Sequence, residues 1–155
     1  MCAQPYMSGK SNAEVTKGLT RVLADTFVLY FKTHSFHWNV EGPQFRSLHE
    51  LFEEQYTELW EATDELAERI RALDEYAPNS WKEMVQHASL KESGQLPDAK
   101  GMLQQLEEDN AAIVDSIYPV LRSAEEAGDE ATVDMLIART QVHEMAAWML
   151  KSLQK

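Results

Sequence analysis

Five side chains between residues 37 and 68 have the types and spacing that metal chemistry needs: His37, His49, Glu53, Asp64 and Glu68. His49/Glu53 and Asp64/Glu68 are each i,i+4 pairs, and in a helix residues four apart lie one above the other on the same face. Imidazole together with carboxylate suits non-haem iron, zinc or manganese. A polar i,i+4 pair on an acidic helix is more often a solvated face, so neither pair is decisive alone. The elements that carry them and the residues around them add the rest.

Ser11-Asn12-Ala13-Glu14 reads as a capping box, and Leu19, Val22, Leu23, Thr26, Leu29 and Tyr30 follow at helical spacing, which predicts a first helix over 12–39. Gly42-Pro43 breaks it and presets a new start. The second helix is expected over 44–73, with Leu48, Phe52, Tyr56, Leu59, Thr63, Leu66, Ile70 and Leu73 as its buried stripe. His49, Glu53, Trp60, Asp64 and Glu68 form a second stripe beside it. A helix with two used faces packs against a second partner, here another subunit. Residues 74–97 form a long connection with a short helix near 80–89, opened by a second capping box from Ser80 to Glu83. The third helix is predicted over 98–126, with Pro119 kinking it or loosening a turn and Gly128 ending it. Asp129 and Glu130 open the fourth, where acids suit the positive end of the helix dipole, and its apolar stripe continues to about residue 153. Residues 1–11 lack a helical period and read as a flexible arm ahead of a single domain, 12–155. Four long helices with short first and last connections and one long crossover give an all-α, ferritin-like four-helix bundle, with a short extra helix in the B–C crossover. A cytokine-type bundle would need two long crossovers.

The 155 residues, 44% of them hydrophobic, suffice for one domain with a sizeable core. The formal net charge of −12 repels nucleic acid and anionic membrane on average and attracts cations. Cys2 is the only cysteine, so no intrachain disulfide forms, as suits a reducing compartment. No apolar run resembles a signal peptide or approaches transmembrane length, and the expectation is a cytoplasmic protein without membrane contact.

An iron pair inside the bundle needs Glu-x-x-His on two helices. The residues three before the five histidines are Phe31, His34, Arg46, Met84 and Thr140, so that motif is absent. His49 and Asp64 are separated by roughly 22 Å along one helix axis, too far for one small centre. Two copies of the helix, antiparallel about a two-fold axis, bring the His49/Glu53 end of one to the Asp64/Glu68 end of the other. His37 joins its own His49 across the Glu41-Gly42-Pro43 turn. Two equivalent sites per dimer follow.

His37-Trp38-Asn39-Val40-x-Gly42-x-x-Phe45-x-x-Leu48-His49, followed by Asp64-x-x-Ala67-Glu68-Arg69, resembles the signature of the Dps family, the mini-ferritins. The likeness runs from about residue 12 to Trp148. It implies a hollow homododecamer with ferroxidase sites at two-fold interfaces. There Fe(II) is oxidised, preferably by hydrogen peroxide, and stored as ferric mineral, which protects cell and DNA from oxidative damage. The family's ligands fall on His37, His49, Asp64 and Glu68, and Glu53 stands where many members have Asp. Zinc takes the same ligands and is a candidate substitute. Trp38, next to a ligand, is read as an electron donor that traps radicals, a role compatible with packing. Glu50 and Glu54 are candidates for mineral nucleation, and Asp129, Glu130 and Asp134 resemble the lining of three-fold iron-entry pores. Trp60 reads as interface packing, His34 as a hydrogen-bonded structural histidine, and His87 and His143 as structural or exposed.

The family name raises a second function, DNA compaction. That would need a cationic arm, and the termini supply only Lys10, Lys17, Lys151, Lys155 and the amino group, so DNA binding is expected to be weak or absent. A third reading, a catalytically dead structural bundle, runs against the intact ligand set.

Overall fold

The computed structural model describes residues 9–155, with side chains from residue 12. Five helices follow in order: α1 (Gly9–Asn39), α2 (Phe45–Ala72), α3 (Trp81–His87), α4 (Ala99–Glu126) and α5 (Glu130–Ser152). α1 packs along α2, α4 packs along α5, α1 also lies against α4, and the short α3 rests on α1. This is the ferritin-like bundle that the sequence predicts, with α3 inside the long crossover. No helix among the described residues is long and apolar enough to cross a membrane.

The four long helices are held by one core. Leu19, Leu23, Leu29 and Phe36 of α1 meet Phe52, Leu66 and Ile70 of α2 and Leu106, Ile113 and Ile117 of α4, all essentially without exposure. Gly18 lets α1 approach α4, since a Cβ there would sit 2.6 Å from a methyl of Val120. Polar ties cross the bundle too. Lys32 of α1 binds Asp109 of α4 at 2.7 Å, both side chains nearly buried. Burial pushes the Asp109 carboxyl above its ordinary range, against the pull of the Lys32 hydrogen bond and charge.

The helix ends explain the boundaries. Glu125 accepts from the Gly128 N–H and Ala124 from the Asp129 N–H, with Gly128 at φ 72°, which is a Schellman end to α4. α2 ends the same way, with Arg71 accepting from Asp74 and Ile70 from Glu75, but here the left-handed residue is Asp74 at φ 70°. At α3 the Ser80 hydroxyl accepts from the Glu83 N–H at 3.1 Å, as expected, while the Glu83 carboxylate reaches one residue further back, to the Asn79 N–H. The box expected at Ser11–Glu14 is not a helix start, because α1 is already helical from Gly9. Asn12 instead donates its side-chain amide to the Leu73 carbonyl at 2.6 Å, capping the end of α2. Residues 1–8 of the expected arm lie outside the described residues. α4 runs through Pro119 as one element.

The crossover is anchored at its middle. Asp25, fully buried on α1, accepts from the Ser89 and Leu90 N–H groups at 2.6 and 2.9 Å and from the Ser89 hydroxyl at 2.6 Å.

Candidate metal centre

The Gly42 turn folds α1 back onto α2, with Gly42 at φ 114° and the Phe45 N–H donating to its carbonyl. That reversal places His37, near the end of α1, against His49, one turn into α2. Each histidine is tied to the other's backbone: His37 Nδ1 lies 2.7 Å from the His49 carbonyl, and His49 Nδ1 lies 2.7 Å from the His37 carbonyl. A carbonyl only accepts, so both Nδ1 atoms carry the proton, and in the neutral ring both Nε2 atoms keep a free lone pair. The rings stack at 3.8 Å with 14° between their planes, and Phe45 stacks on His49 at 5.0 Å. Metal-ligating histidines are typically oriented by such a bond from the second nitrogen. His37 is buried and His49 half-buried, whereas Glu53, one turn further along α2, is exposed.

Asp64 and Glu68 lie at the far end of the same helix face, both exposed. Asp64 edges an open groove whose walls include Leu23, Phe27, Trp60, Ala67 and Met84. Among the described residues, no three His, Cys, Asp or Glu side chains of one chain converge in a group able to hold a metal ion. The structure therefore brings His37 and His49 together and leaves Asp64 and Glu68 apart from them, as the helix length requires.

The surface between the two halves is aromatic. His34 stacks on Tyr56 at 3.7 Å, and its Nδ1 lies 3.0 Å from the Tyr30 hydroxyl. Burial, followed by the charge of His37, lowers the His34 pKa, with Glu53 opposing. Burial, followed by Glu53 and Tyr30, raises that of Tyr56. Tyr56, expected in the core stripe, is only half-buried, because its ring turns to this face. Trp38 and Trp60 are 58% and 56% exposed, a large apolar area for a lone chain to present to water. Trp38 lies 4.4 Å from His34 rather than against His37.

The other candidates separate by burial. Glu50 and Glu54 are exposed, and Glu50 pairs with Arg46. Asp129 is 1% exposed and spent on structure: it caps α5 through the Thr132 N–H and hydroxyl and binds Arg69 at 2.6 Å. Of the three acids compared with a pore lining, only Glu130 and Asp134 are exposed. Arg69 closes the sequence motif, yet it turns away from the candidate ligands to join α2 to α5 through Asp129 and Thr132. No i,i+4 pattern marks such a long-range tie. His87 is exposed, while His143 is fully buried.

A family model for the ferritin-like domain matches residues 16–155. A low temperature-induced protein of Nostoc is 43% identical over 86% of this chain and 76% of its own length. DNA protection during starvation protein 2 of Bacillus anthracis is 37% identical, covering 91% of this chain and 97% of its own. The crystal structure of a Vibrio cholerae Dps protein, described as one of a broad superfamily of ferritin-like diiron-carboxylate proteins, superposes with a TM-score of 0.92 at 31% identity, over 96% of this chain and 94% of that one. The chain belongs to the Dps family. Its Dps signature thus sits on the α1–α2 hairpin, with the histidines at the turn and the acids further along α2.

Proposed function

We propose that two copies of this Dps chain pair α1–α2 face to α1–α2 face, and that each interface site oxidises Fe(II) with hydrogen peroxide. The observation that carries this is the pair of half-sites: histidines locked with Nε2 free at one end, two exposed carboxylates at the other, roughly 22 Å away along α2. A two-fold partner unites each half with the complementary half of its neighbour and covers Trp38 and Trp60. His37 and His49 of one subunit, with Asp64 and Glu68 of the other, hold the ferrous substrate, and Glu53 adds a carboxylate one turn from His49. Two Fe(II) ions give one electron each, the peroxide O–O bond breaks, and the ferric product hydrolyses, releasing protons. The mineral collects inside a shell of twelve subunits, with Glu50 and Glu54 as nucleation groups and Glu130 and Asp134 at the entry pores. Zinc competes for the same ligands. The names of relatives, DNA protection during starvation protein and general stress protein, point to the same setting of starvation and stress. The net charge of −12 disfavours phosphate contact, so protection runs through iron rather than through coating DNA.

The test is rescue. His37→Ala/His49→Ala and Asp64→Ala/Glu68→Ala variants should each lose rapid Fe(II) oxidation, because every site lacks half its ligands. In a mixed dimer, one site has neither half and the other is complete. Co-assembled variants should therefore regain activity, up to one working site per mixed dimer. Mixed dimers, verified by native mass spectrometry, that stay as inactive as the parents would rule out the shared site.

A further inference from the structure

A run of aromatic rings crosses the open α1–α2 face from one half-site to the other. Tyr56 lies 5.1 Å from His37, Tyr30 lies 6.4 Å from Tyr56, and Trp60 lies 5.1 Å from Tyr30, all between ring centroids. Trp60 stands one helical turn before Asp64 on α2. The run thus begins beside one ligand pair and ends beside the other. Phenylalanine or leucine would fill the same volumes, yet all three rings are phenols or an indole, the side chains that most readily lose an electron. Tyr30 adds a second observation. Its hydroxyl lies 3.0 Å from His34 Nδ1, and it donates there when His34 is neutral with its proton on Nε2. A phenol gives up an electron far more easily when a base takes its proton in the same event, and His34, stacked on Tyr56, is held where that base must be.

We propose that Tyr56, Tyr30 and Trp60 are an electron relay between the two oxidation sites of a dimer, with the Tyr30–His34 hydrogen bond as its proton-coupled step. This rests on the shared-site reading above, since one subunit's run touches both sites only if each site takes histidines from one subunit and acids from the other. Peroxide needs two electrons to leave no hydroxyl radical, and a site holding one Fe(II) supplies one. The second comes from Tyr30. The O–O bond breaks to give two hydroxide ions, Fe(II) becomes Fe(III), Tyr30 becomes a neutral phenoxyl radical, and its proton moves to His34 Nδ1. Fe(II) at the dimer's other site then returns an electron to the radical, His34 returns the proton, and that iron is oxidised. In sum, two Fe(II) and one peroxide yield two Fe(III) and two hydroxides, although the irons never share a site.

The experiment uses the intact assembly and a Tyr30→Phe variant, which keeps the ring and loses only the hydroxyl. Anaerobic Fe(II) titration comes first and should give equal stoichiometry in both. Peroxide is then added at one Fe(II) per dimer and at one per site, with freeze-quench electron paramagnetic resonance and a hydroxyl-radical spin trap. The wild type should show a tyrosyl signal at one Fe(II) per dimer, narrowed when the protein is grown on ring-deuterated tyrosine, and lost at one Fe(II) per site. Tyr30→Phe should lack that signal and release several-fold more trapped hydroxyl radical at both loadings. Equal Fe(II) binding with the same radical and the same trapping in both proteins would overturn the relay and leave the shared site standing. A wild type that binds no Fe(II) would overturn both.

Discussion

His143 and the His37/His49 pair are all packed histidines, but they differ in what their ring nitrogens have left to do. Between α4 and α5, His143 is fully buried and both nitrogens are used: Nδ1 meets Asn110 Oδ1 at 2.8 Å, and Nε2 meets Arg139 Nη2 at 3.1 Å. Arg139 in turn binds both carboxylate oxygens of Glu58 on α2. At the α1–α2 turn, each histidine spends one nitrogen on a backbone carbonyl and keeps the other. The acids divide the same way: Asp25 and Asp129 are saturated with donors, and Asp64 and Glu68 stand open. Residue type is therefore not what sets the proposed iron-oxidising face apart. Unspent lone pairs set it apart, on the side where the proposed second subunit would lie.

The sharpest way to break that contrast is to delete one histidine of each kind. His49→Ala should cut Fe(II) oxidation on the order of 100-fold or more, since even changes beside a metal ligand cost 10–100-fold, and should barely move the unfolding midpoint. His143→Ala should do the reverse. It strands Asn110 and Arg139 in the interior and should cost about 2–4 kcal/mol of stability, while the folded fraction keeps its rate. A His143→Ala protein that folds normally and fails to oxidise iron would end the distinction.

Acid sharpens it. Burial, seconded by the charge of Arg139, pushes the His143 pKa from 6.5 to about 3. Between those values the unfolded chain binds a proton that the folded chain refuses, so stability contributed here falls as pH drops from about 6.5 towards 3. His143→Ala lacks this dependence. The stability gap between wild type and variant should thus narrow by about 2 kcal/mol from pH 7 to pH 5. Denaturant titrations at the two pH values give the answer, and an unchanged gap would mean that His143 takes up its proton as readily in the fold as in the unfolded chain.

The smallest effect lies at two helix ends that share one device. Gly128 takes the left-handed position after α4 without strain, and Asp74 takes the same position after α2 with a Cβ to accommodate. Asp74→Gly should stabilise the chain by about 1 kcal/mol, seen as a raised melting temperature. A lowered one would show that the Asp74 side chain contributes more than its strain costs.

Much of this was legible in the residues. Apolar spacing located α1, α2 and α4 because each has a broad buried apolar stripe, whereas α5 buries Thr132, Arg139 and His143 beside Leu136 and Leu150; Gly42, Ser80 and Gly128 marked ends that the backbone uses. The distance between His49 and Asp64 needs only the rise of a helix, which is why the separation of the two residue pairs was legible in the sequence. What failed to show was set by partners distant in sequence. Asn12 looked like part of a local cap and instead reaches Leu73. Asp129 looked like a free acid at a helix start and is buried beneath Arg69. Tyr30 and Tyr56 fell on apolar positions, and only the folded hairpin shows that they line the open face with His34. Local spacing says which side of a helix a residue is on, not whose donor it will meet.

The anchor at Asp25 has a consequence for where this chain can grow. By holding Ser89 and Leu90 against the middle of α1, it splits the long α2–α4 connection into two short loops, each closed at both ends. Residues added before Ser89 must shift α3 or unhook the anchor. Those added near Gly94 meet no such demand, because a side chain there would find open space within 4 Å and the stretch around it is mostly exposed. A displayed peptide or affinity tag placed at Gly94 lengthens one loop only, and a doubled loop costs only about 0.6 kcal/mol in closure entropy. Evolution and the protein engineer are thus offered the same insertion point, one that leaves the bundle and the α1–α2 face untouched.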